Sequence, residues 1–151
     1  MDVDVKPKGC TNLKLRQLLR RVARLYDAEV GASGLRTTQY SLLSFVVRLA
    51  PVRPVDLAQA MKVSPSTLTR NLRPLIDAGL VEMQPGADGR SRLVVATAQG
   101  QKRRVEAQRR WRVAQEQLNA RLGVERVHAL HALLDECTEL LADLPEGEDD
   151  E

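Results

Sequence analysis

The side chains with the most informative chemistry form a polar face on a segment that is predicted to be helical, Pro65 to Asp77. The face carries hydroxyl and guanidinium groups, with a capping residue just before it: Ser64, Ser66, Thr67, Thr69, Arg70 and Arg73. On a helical wheel Thr67 and Thr69 lie at its two flanks, opposite a stripe of leucines. Arginine can bind O6 and N7 of guanine in bidentate fashion, and threonine can offer a hydroxyl or a methyl group to a base. The face can therefore bind double-stranded DNA; the alternative is an ordinary solvated helix face.

A second short helix precedes this segment. Val55 to Met61 is predicted to be helical, and Lys62-Val63-Ser64 forms a tight turn before Pro65. Ser64 is a favourable N-cap and Pro65 fits the first helical position. Two helices across a short turn are typical of a helix-turn-helix, whose second helix enters the DNA major groove. Pro74 predicts a bend or an early stop in the second helix, because proline removes a backbone hydrogen bond.

Two short β-prone runs follow, Val81 to Gln84 and Leu93 to Ala96, with a glycine-rich turn between them. They predict a hairpin, which behind a helix-turn-helix is a wing. Strand alternation would place Arg90 and Arg92 on one side, where an arginine can enter a narrow minor groove. Asp88 is expected to hold an arginine by ion pairing. The alternative is a polar turn with incidental charge.

Four further helices complete the expected architecture. The first runs from Thr11 or Asn12, either of which can cap it, to about Val30. The others are about Thr38 to Ala50, about Ala98 to Leu122 behind the cap Thr97, and about Val124 to Leu144. The first and last helices carry apolar residues at heptad spacing, the pattern of helix-on-helix seams: Leu15, Leu18, Val22 and Leu25, then Val127, Leu130, Leu134, Cys137, Leu141 and Leu144. These seams can pack within one chain, but packing between two chains is favoured because such a DNA reader needs a dimer to span two half-sites.

Composition supports a DNA-binding interpretation. The formal net charge of the 151-residue chain is +3, but five acids lie in its last six residues, so the body without them carries +8. A basic body suits a polyanion, although arginine side chains can also simply form the solvent-exposed faces of long helices.

Aromatic residues make up only 3%, which predicts an aliphatic, mainly helical core. No apolar run approaches the roughly 18 residues that span a membrane, and no signal peptide is apparent, so we expect a cytoplasmic protein.

The combined motifs resemble the multiple-antibiotic-resistance regulator (MarR) family over roughly residues 11–144. The strings that carry the resemblance are Leu57-Ala58, Ser66-Thr67-Leu68-Thr69-Arg70, Gly79-Leu80-Val81, Asp88-x-Arg90-Ser91 and Val95-Ala96-Thr97-x-x-Gly100. The resemblance implies a dimeric winged-helix transcription factor, usually a repressor, that binds palindromic operators and often releases them on binding a small phenolic or anionic effector. It also implies DNA contacts from Ser66, Thr67, Thr69, Arg70 and Arg73, and from Asp88 and Arg90 in the wing. Pro74 departs from the commoner acidic or polar residue of the family.

Fewer residues are candidates for sensing a ligand or an oxidant than for binding DNA. Cys10, near Lys8 and Lys14 at the start of the first helix, is a candidate redox sensor, with an inert thiol as the alternative; Cys137 on the seam is expected to pack in a core. A disulfide between Cys10 and Cys137 across a dimer is a further alternative.

Tyr26, Tyr40 and Trp111 can line an aromatic effector pocket, or Trp111 can simply pack a helix junction. His128 and His131 have metal-ligand spacing but no third ligand nearby, so no metal site is predicted.

The predicted fold is therefore mainly α (α+β), a winged helix-turn-helix with long terminal helices. We expect a winged-helix region at residues 37–97, a dimerisation region at 11–36 and 98–145, and disorder at 1–10 and in the acidic tail 146–151. No catalytic constellation and no phosphate-binding loop occur, so neither an enzyme nor a cofactor is predicted. The expected function is a homodimeric DNA-binding repressor. The alternatives are a winged-helix protein–protein module, an activator or architectural protein, and a redox-sensing regulator that acts through Cys10.

Overall fold

The computed structural model describes residues 6–145. The expectations of disorder at 1–5 and 146–151 lie outside the described residues. Residues 6–10 form no helix or strand. None of the helices in the described part of the chain has the length and apolar character needed to cross a membrane.

Helices dominate the fold, and one antiparallel hairpin forms its only sheet within residues 6–145. The elements in order are α1 (Thr11–Val30), α2 (Thr37–Leu49), α3 (Pro54–Met61), α4 (Pro65–Asp77), β1 (Val81–Pro85), β2 (Arg92–Ala96), α5 (Ala98–Leu122) and α6 (Val124–Leu140). A 3-10 turn, Gly31–Ser33, joins α1 to α2. The predicted mainly α winged helix-turn-helix is confirmed.

Two helix ends differ from the prediction. Cys10, not Thr11 or Asn12, occupies the N-cap of α1, and no side chain caps that end; Asn12 instead accepts a hydrogen bond from Arg16 one turn later. The last helix was expected to reach Leu144 but ends at Leu140. Beyond Leu140 the chain continues in tighter turns, in which the Ala142 amide donates to the Glu139 carbonyl and the Leu144 amide to the Leu141 carbonyl. Pro145 then prevents any further helix, because a proline disfavours helical geometry in the residue before it and has no N–H to donate.

The winged-helix region (residues 37–97) encloses an aliphatic core. Side chains from α2, α3, α4 and the hairpin meet in it and are fully buried, among them Leu43, Leu57, Leu68, Leu75 and Val94. The hairpin pairs Val81 with Ala96 at its base and Pro85 with Arg92 near its tip. Val52, just before α3, adds one antiparallel bridge to Val94, which fixes the hairpin against the helices.

A close backbone approach fixes the start of α5 beside the end of α4. The Thr97 hydroxyl donates to the Gly79 carbonyl at 2.7 Å and accepts from the Gly100 amide at 3.0 Å, so the predicted Thr97 cap is confirmed. Gly100 lies against Leu80 so closely that a Cβ there would come within 2.0 Å of the Leu80 carbonyl oxygen. Only glycine fits this contact, which sets the direction in which the long helix leaves the winged-helix region.

The terminal helices are packed more loosely. Helix α1 packs against α5, and α6 folds back at Gly123 to contact α5. Most of the predicted seam side chains are exposed or half-exposed in the single chain, including Leu15, Leu18 and Leu134. Cys137 is also exposed, so its expected burial in a core is wrong for the chain by itself. The seams therefore present apolar surface that this chain does not cover.

Candidate nucleic-acid interface

The start of α4 is held by its capping residue. The Ser64 hydroxyl accepts a hydrogen bond from the Thr67 amide at 3.1 Å, and Pro65 takes the first helical position, as predicted. The Thr67 hydroxyl accepts from the Ser64 hydroxyl at 2.9 Å, and Thr67 is only 5% exposed. Thr67 was expected on the DNA-contacting face. It lies instead on the side that packs against the core, so its hydroxyl supports the turn of the helix-turn-helix and is not free for a base.

The outer face of α4 presents four polar side chains to solvent. They are Ser66, Thr69, Arg70 and Arg73, opposite the buried Leu68, Leu72 and Leu75. The Thr69 hydroxyl donates to the Pro65 carbonyl at 3.0 Å. Arg73 lies 3.9 Å from Asp77 in a loose, exposed pair, whereas Arg70 pairs with no acid in the described part of the chain. The face is therefore rich in donors and basic.

Pro74 lies inside α4 without ending it. The helix continues to Asp77, so the predicted early stop is wrong. Pro74 is exposed, and as a proline it cannot donate to the carbonyl of Arg70. Because Arg70 and Pro74 are both exposed, water can reach that carbonyl. The polar residues at the start of the helix are N-terminal to this interruption.

The tip of the wing is organised by Asp88. Its Oδ1 accepts hydrogen bonds from the Ser91 amide at 2.8 Å, the Ser91 hydroxyl at 2.7 Å and the Arg90 amide at 3.0 Å. The bonds from the Ser91 amide and hydroxyl, and then that from the Arg90 amide, lower the pKa of Asp88 to about 2. Within residues 6–145 Asp88 forms no ion pair, so the expected pairing with an arginine side chain is wrong. Asp88 holds the backbone from which the arginines project.

The two wing arginines occupy different kinds of backbone. Arg92 begins β2, but Arg90 lies in the turn before it. Strand alternation therefore does not fix Arg90 on the same side as Arg92, which corrects the prediction. Both side chains are exposed. Neither pairs with an acid of the described chain, so both are free to meet an anion.

The candidate signalling residues fall into two groups. Tyr40 is buried and its ring centroid lies 6.4 Å from that of Trp111, with the pair packed into the core. Tyr26 in α1 donates a hydrogen bond to Gln115, and burial raises its pKa. This arrangement favours packing over an effector pocket for the aromatic residues. Cys10 is exposed with a free thiol. Residues 6–145 contain no cluster of three or more His, Cys, Asp or Glu side chains able to hold a metal.

A groove that the sequence did not predict lies beside α4. It has a volume of about 500 Å³ and runs between α4 and the start of α2, where Arg36 and Thr38 face Arg70 and Asn71. The partners come from segments more than thirty residues apart, so no local pattern brings them together. The only signal in the sequence is an arginine where a helix N-cap would usually carry a small polar residue.

Comparisons with known proteins agree with this geometry. A sequence profile described as the MarR family matches residues 33–91. The structure matches that of the transcriptional regulator MosR of M. tuberculosis, crystallised with DNA, with a TM-score of 0.72 and 32% identity over 87% of this chain and 98% of that chain. MarR of E. coli in its apo form shares the fold, with a TM-score of 0.66 and 23% identity over 87% of this chain and 98% of that one.

A curated relative agrees as well. The uncharacterised HTH-type transcriptional regulator YwoH of Bacillus subtilis is 27% identical over 90 residues, which span 60% of this chain and 66% of that protein. These relatives are transcriptional regulators. The chain therefore belongs to the MarR family of transcriptional regulators and is not an enzyme.

Proposed function

We propose that this protein is a sequence-specific DNA-binding repressor that acts as a homodimer. The observation that carries the proposal is the exposed face of α4, where four polar side chains, two of them arginines, project opposite a buried leucine stripe. A helix of this kind fits the major groove, whose base edges offer acceptors to arginine and to hydroxyl groups. The relative MosR was crystallised in complex with DNA, which supports DNA binding by this chain as well.

The individual contacts follow from exposure and pairing. Arg70, which has no acidic partner in the described chain, is assigned to a base edge or its adjoining phosphate. Arg73 has to leave its loose pair with Asp77 to bind DNA, which costs little because both groups are exposed. Ser66 and Thr69 complete the face. Ser64 and Thr67 hold the helix start and contribute indirectly.

The wing supplies the second contact. Arg90 lies in a turn that Asp88 fixes through the backbone, and Arg92 follows that turn at the start of β2. The backbone that carries both side chains is therefore positioned before DNA binds. An arginine at a hairpin tip can enter the minor groove, where narrow A·T tracts concentrate negative potential. We assign Arg90 to that groove and Arg92 to the neighbouring phosphates.

The terminal helices support dimerisation. Their predicted seams leave apolar side chains exposed, among them Leu15 and Leu18 on α1 and Leu134 on α6, and covering them with a second copy would remove apolar surface from water. Two winged-helix regions on one dimer would read two half-sites about one helical turn, roughly 10 bp, apart. A palindromic operator follows from the two-fold symmetry of such a dimer.

Fluorescence anisotropy with duplexes from the promoter region of the chain's own gene tests the proposal. The double variant Arg70→Ala, Arg90→Ala should lose at least about tenfold in affinity, since each contact of this kind contributes roughly 1–3 kcal/mol. It should keep the self-association of the unmodified protein. The variant Arg48→Gln, an exposed arginine stacked 4.6 Å from the Phe45 ring, is the matched control and should bind normally.

The outcomes separate this proposal from a protein–protein module. If the unmodified protein binds no duplex from that region at low salt, DNA reading is excluded and the interaction module takes its place. Repression is tested separately by deleting the gene, which should raise the transcript level from a promoter that the protein binds. A fall in that transcript would mean activation.

A further inference from the structure

The groove between α2 and α4 is basic, and no acid lines it. Its polar lining residues are Arg36, Thr38, Gln39, Arg70 and Asn71, beside Leu42 and Pro74. Neither arginine pairs with an acid anywhere in residues 6–145. Two unpaired cations and several hydrogen-bond donors around one open groove form a site for an anion with several oxygen atoms, such as a phosphate.

The groove borders the face proposed to read bases. Arg70 belongs to both surfaces: it projects on the outer side of α4 with Ser66 and Arg73, and it lines the groove with Asn71. A major groove about 12 Å wide is filled by one helix about 10–12 Å across, so the sugar-phosphate strands pass along the flanks of that helix. On one flank of α4 the next element is the start of α2.

We propose that Arg36 binds a backbone phosphate of the DNA strand that passes between α4 and the start of α2, in a contact shared with Arg70. This inference rests on the proposed DNA binding and adds a contact outside both the recognition helix and the wing. It assigns Arg36 to affinity and register, not to base recognition, because phosphate contacts carry no direct sequence information.

The backbone of Arg36 is held in place before any DNA binds. Its backbone amide donates to Gln39 Oε1 at 2.9 Å. The next residue, Thr37, donates both its amide, at 3.0 Å, and its hydroxyl, at 2.7 Å, to Oδ1 of Asp27 in α1. These bonds involve none of the Arg36 side chain, which is exposed. Substituting that side chain should therefore leave the fold unchanged while removing one charge from the groove.

The test compares Arg36→Gln with Arg36→Lys and with Arg48→Gln, which removes an equal charge about 18 Å away along the same helix. Binding is measured by anisotropy, with a bound promoter duplex and with an unrelated duplex, over a range of salt concentrations. Arg36→Gln should weaken binding to both duplexes about three- to tenfold and reduce the salt slope by about one for each lost phosphate contact. Arg36→Lys should recover most of the loss, and Arg48→Gln should match the unmodified protein. Thermal melting of each variant checks the fold.

A second measurement locates the phosphate. Single neutral methylphosphonates are placed along each half-site of the bound duplex. At one position the unmodified protein should lose affinity while Arg36→Gln loses nothing further, because the charge–charge contact is already absent. If no such position exists, or if Arg36→Gln weakens only the promoter duplex, the phosphate assignment is overturned.

The outcomes also distinguish this inference from the proposed function. Normal DNA binding by Arg36→Gln overturns only the Arg36 contact, whereas no DNA binding by the unmodified protein overturns both. Inorganic phosphate is titrated into the protein and followed by calorimetry. Tight binding that depends on Arg36, together with unchanged DNA affinity in Arg36→Gln, would assign the groove to a free anion and reject the DNA contact.

Discussion

Leucines at helical spacing occur both in the winged-helix region and in the terminal helices, but many are buried in the first and exposed in the second. Leu57 and Leu68 in the winged-helix region are 0% and 1% exposed, whereas Leu19 in α1 and Leu140 in α6 are 65% and 72% exposed. The winged-helix region closes a core because three helices and a hairpin surround it. Helix α1 packs mainly against α5, with a smaller contact to α2, and α6 packs mainly against α5. A similar apolar pattern therefore means a self-contained core in one region and an uncovered surface in the other.

The largest expected effect separates the two regions by stability. Leu68→Ala should lower the free energy of unfolding by about 2–5 kcal/mol, because it removes a fully buried side chain and leaves a cavity. Leu140→Ala should change it by less than about 0.5 kcal/mol in dilute, unassociated protein, as for other surface substitutions. Urea denaturation followed by circular dichroism measures both. Equal losses would mean that the exposed leucine belongs to the same cooperative core.

The next effect concerns self-association and would sharpen the comparison. Leu134→Glu places a charge on the exposed seam of α6 and should weaken dimerisation about a hundredfold, since burying an unpaired charge costs several kcal/mol. Val55→Glu, at a comparably exposed valine of α3, is the control and should leave dimerisation unchanged. Sedimentation velocity over a range of concentrations reads out both variants. A monomeric unmodified protein, or equal weakening by the two substitutions, would place the dimer contact elsewhere.

Local rules were enough to predict most of the elements. Ser64 and Thr97 cap their helices and Pro65 opens α4, as expected from side chains that act on neighbouring amides. The end of α6 was predicted less well. The heptad pattern reaches Leu144, directly before Pro145, whereas the helix ends at Leu140. Apolar spacing therefore does not by itself fix where a helix ends.

Other features depend on tertiary structure. The helical wheel placed Thr67 at the edge of the polar face, and only the packing of α4 on the core shows which edge is buried. Asp88 was expected to reach a guanidinium group, yet its short side chain is satisfied by amides two and three residues ahead. The groove at Arg36 joins two helices that no local pattern connects. The exposure of the predicted DNA-binding residues other than Ser64 and Thr67 therefore followed from sequence more readily than their hydrogen-bond partners did.

The smallest expected effect is confined to the wing and follows from the lowered pKa of Asp88. A carboxylate whose pKa is lowered in the folded state stabilises that state above its unfolded pKa, roughly 3.9. This contribution is lost as the pH falls from there towards about 2, the value in the folded wing. The amide resonance of Ser91 should therefore titrate with a midpoint near 2 in NMR spectra, and Asp88→Ala should abolish that transition and loosen the turn at neutral pH. The resonances of the buried leucines in the winged-helix region should not follow this titration, because Asp88 is exposed and bonds only to Arg90 and Ser91. A midpoint near 4 for Ser91 would mean that these hydrogen bonds do not persist in solution, and the wing arginines would then lack the fixed stems on which their proposed contact with DNA depends.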